Sequence, residues 1–256
     1  ILKCDLYWIN YLINGFSMIL RMFILQKIVI ILLLIIPVFF LTIVEFTTSE
    51  RMLPFQLASL AEDVFINISE KGISFIFFAV ASSGFLVSFL ALNLIQKNNA
   101  VNRRLIICGY HPIELMISIL LALILVIVLI AIYIGLLTNA FYTIDQLSRF
   151  ILGLVLIGFV YGSYGLLVGS LIKMELEGVL MIVLLVNIDV GWLQNPLFYA
   201  EAQNQIIIKF LPAYFPSQMA IITAVTDYSA STSILYSLLY GLVFLSFSIL
   251  IFFYKM

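Results

Sequence analysis

Asp189 is the one carboxylate that falls clearly near an apolar stretch of this sequence, in Leu184-Leu185-Val186-Asn187-Ile188-Asp189-Val190-Gly191-Trp192. An acid at membrane depth is expensive, and it marks a functional position by default. Proton transfer there would need a second buried acid or a histidine, and none is evident. Asp189 therefore reads as a helix-end or gating residue. Glu114 follows Pro112 at a helix start, where the dipole favours an acid, and it is also within reach of Arg103 or Arg104 by sequence. His111 is the only histidine. That excludes a multi-histidine metal site and leaves a Ser-His-Asp hydrolase without support. Cys4 and Cys108 fall on the same expected side and read as free thiols. There is no GxxxxGK[ST] phosphate loop, so ATP is not expected to be bound or split by this chain alone. No residue reads as catalytic or metal-ligating, and no cofactor is expected in the chain itself.

These residues are set in a chain that is 64% apolar and 10% charged, with a mean hydropathy of +1.23. One soluble core cannot hide so much apolar surface, so most of the chain is expected to face lipid. A net charge of −1 gives no electrostatic case for nucleic acid. The expected fold is an all-α membrane protein, one transmembrane domain over residues 1–256.

Six apolar stretches read as spans, at about 28–44, 73–95, 113–137, 147–172, 179–193 and 231–254. Pro37 should kink the first. Ahead of it, Lys3, Asn10, Asn14, Ser17 and Arg21 share one helix face, with Leu, Ile, Phe and Met opposite. Residues 1–26 thus read as an amphipathic helix in the membrane interface. A signal sequence is the alternative, and Asp5 and the spread polar face fit it poorly.

Orientation follows from Lys and Arg. With both termini in the cytoplasm, Lys3, Arg21, Lys27, Lys97, Arg103, Arg104, Lys173 and Lys255 lie inside, against Arg51, Lys71, Arg149 and Lys209 outside.

Two connecting segments carry most of the polar pattern. Residues 96–114 are basic, then form an apolar turn that stops at Gly109 and restarts after Pro112. Glycine ends helices and proline starts them. A short cytoplasmic helix at about 99–108 follows, suited to press on a partner; an ordinary solvated loop is the alternative. Residues 194–227 are too broken by proline to span and too apolar to be free. They read as a pair of short helices dipping into the outer leaflet, a re-entrant hairpin, with a folded external loop as the alternative. In the fourth span, Gly158 to Gly162 and Gly165 to Gly169 are GxxxG spacings that allow close helix packing, within the chain or against a second copy. Asn67-Ile68-Ser69 matches a glycosylation sequon, a motif too short to weigh.

Taken in order, these features resemble the membrane subunit of an ABC exporter of the ABC-2 family. The match runs through the amphipathic helix at 1–26, the six spans and the basic helix with Gly109-Tyr110-His111-Pro112-Ile113-Glu114. It continues through Gly162-Ser163-Tyr164-Gly165-Leu166-Leu167-Val168-Gly169-Ser170, ending in Lys173-Met174-Glu175, and the broken hairpin with Leu211-Pro212 and Tyr214-Phe215-Pro216. It covers essentially the whole chain, by pattern and order rather than by one specific motif. Residues 46–72 depart from it, being longer than a minimal loop.

The resemblance implies a multi-pass subunit of the cell membrane, in a bacterial plasma membrane, that pairs with a second permease copy or a paralogue. A separate ATP-binding subunit, holding ATP and Mg, would dock on the coupling helix through Asn99, Asn102, Arg103, Arg104, Leu105, Cys108, Gly109 and Glu114. Asn195, Pro196, Phe198, Tyr199, Pro212, Phe215 and Pro216 would form the external gate. Cargo would leave along the dimer interface, and a hydrophobic or amphipathic peptide, lantibiotic or drug-like compound is the expected class. The alternatives are an energy-independent transporter or channel, and an intramembrane enzyme. The first lacks a clear polar pathway or repeat, and the second lacks paired acids inside spans.

Overall fold

The computed structural model describes residues 2–56, 65–195, 205–227 and 230–255. The chain begins with α1 (Leu2–Ile24) and α2 (Lys27–Thr47), followed by strands β1 (Met52–Gln56) and β2 (Phe65–Ser69). Next come α3 (Glu70–Gln96), the short α4 (Asn99–Ile107), α5 (Pro112–Phe141), α6 (Leu147–Leu171) and α7 (Glu175–Ile188). A π-helical turn, Asp189–Leu193, extends α7, and α8 (Gln205–Lys209), α9 (Tyr214–Val225) and α10 (Ser231–Lys255) complete the chain. Six of these elements are long and apolar enough to cross a membrane: α2, α3, α5, α6, α7 with its π turn, and α10.

Burial is very unequal among them. In their most apolar stretches, 78% of α3 and 72% of α6 is buried, against 17% of α2 and of α10. Helices α3 and α6 therefore form the centre, and α2, α7 and α10 show apolar side chains such as Phe39, Leu184 and Leu250 outward. Exposed Leu, Ile and Phe on a continuous helix are what a hydrocarbon solvent stabilises.

Glycine sets how closely the central pair approaches. A Cβ on Gly165 would stand 2.3 Å from the backbone oxygen of Ser88 in α3, and one on Gly169 would stand 3.0 Å from the Ile95 Cβ. Gly158 and Gly162 face Ile127 of α5 and Val87 of α3 in the same way. All four glycines of the two GxxxG spacings thus pack inside the chain. Pro37 is buried within α2 without interrupting the helix, and Tyr133 of α5 donates its hydroxyl to the nearby Leu34 carbonyl at 2.8 Å.

The segment after α2, for which the sequence suggested no element, is a two-stranded antiparallel pair, in register from Met52 opposite Ser69 to Gln56 opposite Phe65. Strand β2 runs directly into α3, and residues 48–51 join α2 to β1. Ser69 caps α3 by accepting from the Gly72 amide at 3.1 Å. Lys71 pairs with Glu45 of α2 at 2.7 Å, the one ion pair among the described residues.

Candidate functional site

The structure groups the candidate residues into two places, joined by α6. The first is buried around Asp189, which is 1% exposed. A carboxylate out of water must be surrounded by donors, and three reach it. The Tyr161 hydroxyl of α6 donates to Oδ2. Gln194 Nε2, one residue past the π turn, donates to Oδ1 at 3.1 Å. The backbone N–H of Ala213, the N-cap residue of α9, donates to Oδ2 at 3.1 Å. The charge therefore also meets the positive end of a helix dipole. Ser217 of α9 extends the set by donating to the Gln194 oxygen at 3.4 Å. Asp189 thus fastens three segments to one another: α6, the end of α7 and the start of α9.

Helix α9 is buried along most of its length. A Cβ on Gly153 of α6 would touch the backbone of Ala220 at 3.0 Å. At its far end the amides of Asp145 and Gln146 donate to the carbonyls of Ala224 and Thr223 at 3.2 and 3.1 Å.

Of the other residues expected in this segment, Phe215 stacks on Tyr236 of α10 with ring centroids 4.6 Å apart. Pro216 is buried in the first turn of α9, where a missing N–H costs little, and Pro212 lies in the turn ahead of it. Asn195 lines a pocket of about 340 Å³ with Asn187 and the rings of Phe40, Phe77, Phe78 and Phe85. Pro196, Phe198 and Tyr199 lie outside the described residues.

The second place is the opposite end of the bundle, where α3 ends and α5 begins. Helix α4 is held there by well-defined stops. Gly109 follows it with φ of +101°, a left-handed conformation suited to glycine. His111 then starts α5: its Nδ1 accepts from the Ile113 amide at 3.3 Å, and Glu114 Oε2 accepts from the His111 amide at 3.2 Å. This corrects one expectation. The Glu114 carboxylate is used in capping its own helix, and it forms no ion pair with Arg103 or Arg104.

On α4 itself Asn102 is 3% exposed and points inward. Asn99, Arg103, Arg104, Cys108 and Gly109 are exposed, and Leu105 is half-buried against the core. Ile107 is 85% exposed. The helix therefore has one rooted side and one uncovered side carrying two guanidinium groups and an isoleucine.

Neither a protein-family model nor a curated protein matches this chain.

Sequence reasoning found Asp189 but missed Tyr161, Gln194 and Ser217. The one usable signal was chemical. A buried acid requires donors, and the fourth span offers two tyrosine hydroxyls, Tyr161 and Tyr164, among its glycines. Among the described residues no three His, Cys, Asp or Glu side chains gather to hold a metal.

Proposed function

We propose that this chain is the permease subunit of an ATP-driven exporter of the ABC-2 type, energised by a separate ATP-binding subunit seated on α4. The observation that carries the reading is α4 itself. It is a nine-residue helix at one end of a bundle with six span-length helices, with Asn102 turned inward and its end bounded by Gly109 and the His111–Glu114 cap. It presents Arg103, Arg104 and Ile107 to whatever lies beyond the membrane. A short helix between the end of α3 and the start of α5 can pass a push from outside into both, as rigid-body switching requires. The excess of Lys and Arg at this end supports a cytoplasmic placement for it.

Three finer features belong to the same reading. Helix α1 lies along the cytoplasmic interface with Asn14 and Arg21 toward water. Helix α9 is re-entrant. Its start is tied through Asp189 to Tyr161, fourteen residues into α6, or about 21 Å at ~1.5 Å per residue. Its far end is tied to Asp145 and Gln146 at the outer mouth of α6. A second copy or a paralogue completes the pathway against the thinly covered α2 and α7, and the cargo is a hydrophobic or amphipathic peptide or drug-like compound.

The test is reconstitution in vesicles with the cognate ATP-binding subunit. The double substitution Arg103→Glu and Arg104→Glu should abolish co-purification of that subunit or uncouple its ATP hydrolysis from export, with the chain still folded. Unchanged co-purification and coupled turnover would reduce α4 to an orientation signal. Cargo flux that persists without ATP hydrolysis would remove the pump reading altogether.

A further inference from the structure

Beside α4, the ends of α3, α6 and α10 enclose a recess of about 350 Å³. Three cations line it: Arg103 of α4, Lys173 just past α6, and Lys255 at the end of α10. Among the described residues no carboxylate does. Glu175 and Glu177 are the nearest acids in sequence, and neither lines the recess or forms an ion pair among the described residues. Lys255 is held at the floor, where its Nζ donates to the carbonyls of Ser170 and Leu171 at 2.7 and 2.6 Å. A cation on these free helix-end carbonyls is stabilised by the α6 dipole. Arg103 and Lys173 have no such explanation. They are separated by seventy residues of chain, are both exposed, and converge on one cavity with no ion-pair partner among the described residues.

The depth of the recess says what such an acceptor is. Three membrane-crossing helices end around it, so it lies at the boundary where phospholipid phosphates sit. Ile95, Ile172 and Phe252 give it an apolar wall toward the hydrocarbon side. Phe253 and Tyr254 beside it are 55% and 91% exposed, the placement of aromatic side chains at a headgroup layer. We propose that this recess binds the phosphodiester headgroup of an anionic phospholipid, with Arg103 and Lys173 as the contacting cations over the Lys255 floor. Basic pockets between membrane helices take anionic headgroups in this way. The proposal shares Arg103 with the transport reading but is tested apart from it, since its experiment uses a lipid and this chain alone.

The experiment uses the purified full chain in neutral detergent, with bound lipid counted by native mass spectrometry. Phosphatidylglycerol is titrated, with phosphatidylcholine and inorganic phosphate as comparison probes. Wild type should retain phosphatidylglycerol in a saturable, salt-sensitive manner and phosphatidylcholine much more weakly. Arg103→Gln with Lys173→Gln should weaken phosphatidylglycerol binding about thirty-fold, from roughly the contribution of two surface cations. Arg149→Gln, at the opposite end of α6, should leave it unchanged. Both substituted side chains are exposed, and a thermal melt verifies the fold; if the double variant melts early, Lys173→Gln alone should still show about a five-fold loss. Binding that is equal in the double variant and wild type, or equal for the two phospholipids, overturns the proposal. So does full displacement of phosphatidylglycerol by millimolar inorganic phosphate, which would make the recess a free-phosphate site.

Discussion

Helix α6 passes through two polar regions that treat charge in opposite ways. At Tyr161 it touches a carboxylate that is shut away from water and fully supplied with donors. At Ser170 it borders a recess whose exposed cations, Arg103 and Lys173, have no ion-pair partner among the described residues. A buried charge without donors costs several kcal/mol, so the Asp189 set has one stable arrangement and acts as a joint. Exposed charges are satisfied by water and cost almost nothing to leave unpaired. The interior region accordingly specifies shape, and the surface region is free to specify encounters.

That contrast is broken most severely at Asp189 itself. Asp189→Leu strands the Ala213 amide and the Tyr161 hydroxyl without an acceptor. It should lower stability by about 3–5 kcal/mol, read as a large fall in the thermal unfolding midpoint in detergent. Asp189→Asn keeps one acceptor and should lower the unfolding midpoint less than Asp189→Leu. If Asp189→Leu melts within about 1 kcal/mol of wild type, the carboxylate is no joint. Next in size is Gly165→Ala, which drives a methyl group into the Ser88 carbonyl. The clash is with backbone and cannot be relieved by a rotamer, so a loss of about 2–3 kcal/mol is expected. Substitutions at Arg103 and Arg104 belong to the other side of the comparison and should move the melt by no more than about 0.5 kcal/mol.

The smallest effect concerns pH. Burial, and then the charge of Asp145, raises the Tyr142 hydroxyl above its ordinary value of 10.0. The unfolded chain loses this proton first, so the contribution is intact below about pH 10 and declines as pH rises further. Tyr142→Phe should flatten that alkaline decline in a pH series of melts; an unchanged slope would assign it to other tyrosines.

The spans were legible because lipid imposes a length and a composition that few other structures share. The expected 147–172 and 231–254 sit within a residue of Leu147–Leu171 and Ser231–Lys255. The stop at Gly109 and the restart at Pro112 were legible for the same local reason, since one glycine and one proline define both helix ends. Pairings across distance were not. Nothing in Met52-Leu53-Pro54-Phe55-Gln56 alternates strongly enough to announce a strand, and proline argues against one. Its ladder exists because β2 lies opposite. Likewise Asp189 was conspicuous alone, but Tyr161 is 28 residues away. Only the packing of α6 against the α7 end decides which of two nearby tyrosines faces it. Glu114 was legible in part: its place at the helix start holds, as the cap of α5, while the further pairing with Arg103 or Arg104 does not form.

The small β pair has a mechanical consequence. It fastens the tops of α2 and α3 to each other, and the Glu45–Lys71 contact adds a rivet at the same level. At the other extremity the described residues offer one side-chain hydrogen bond, from Asn93 to Gln26 at 3.4 Å, beside apolar packing of Val29 and Leu33. Like tongs riveted at one tip, the two helices are more strongly fastened at the strands, so a separation between them is expected to widen toward α4.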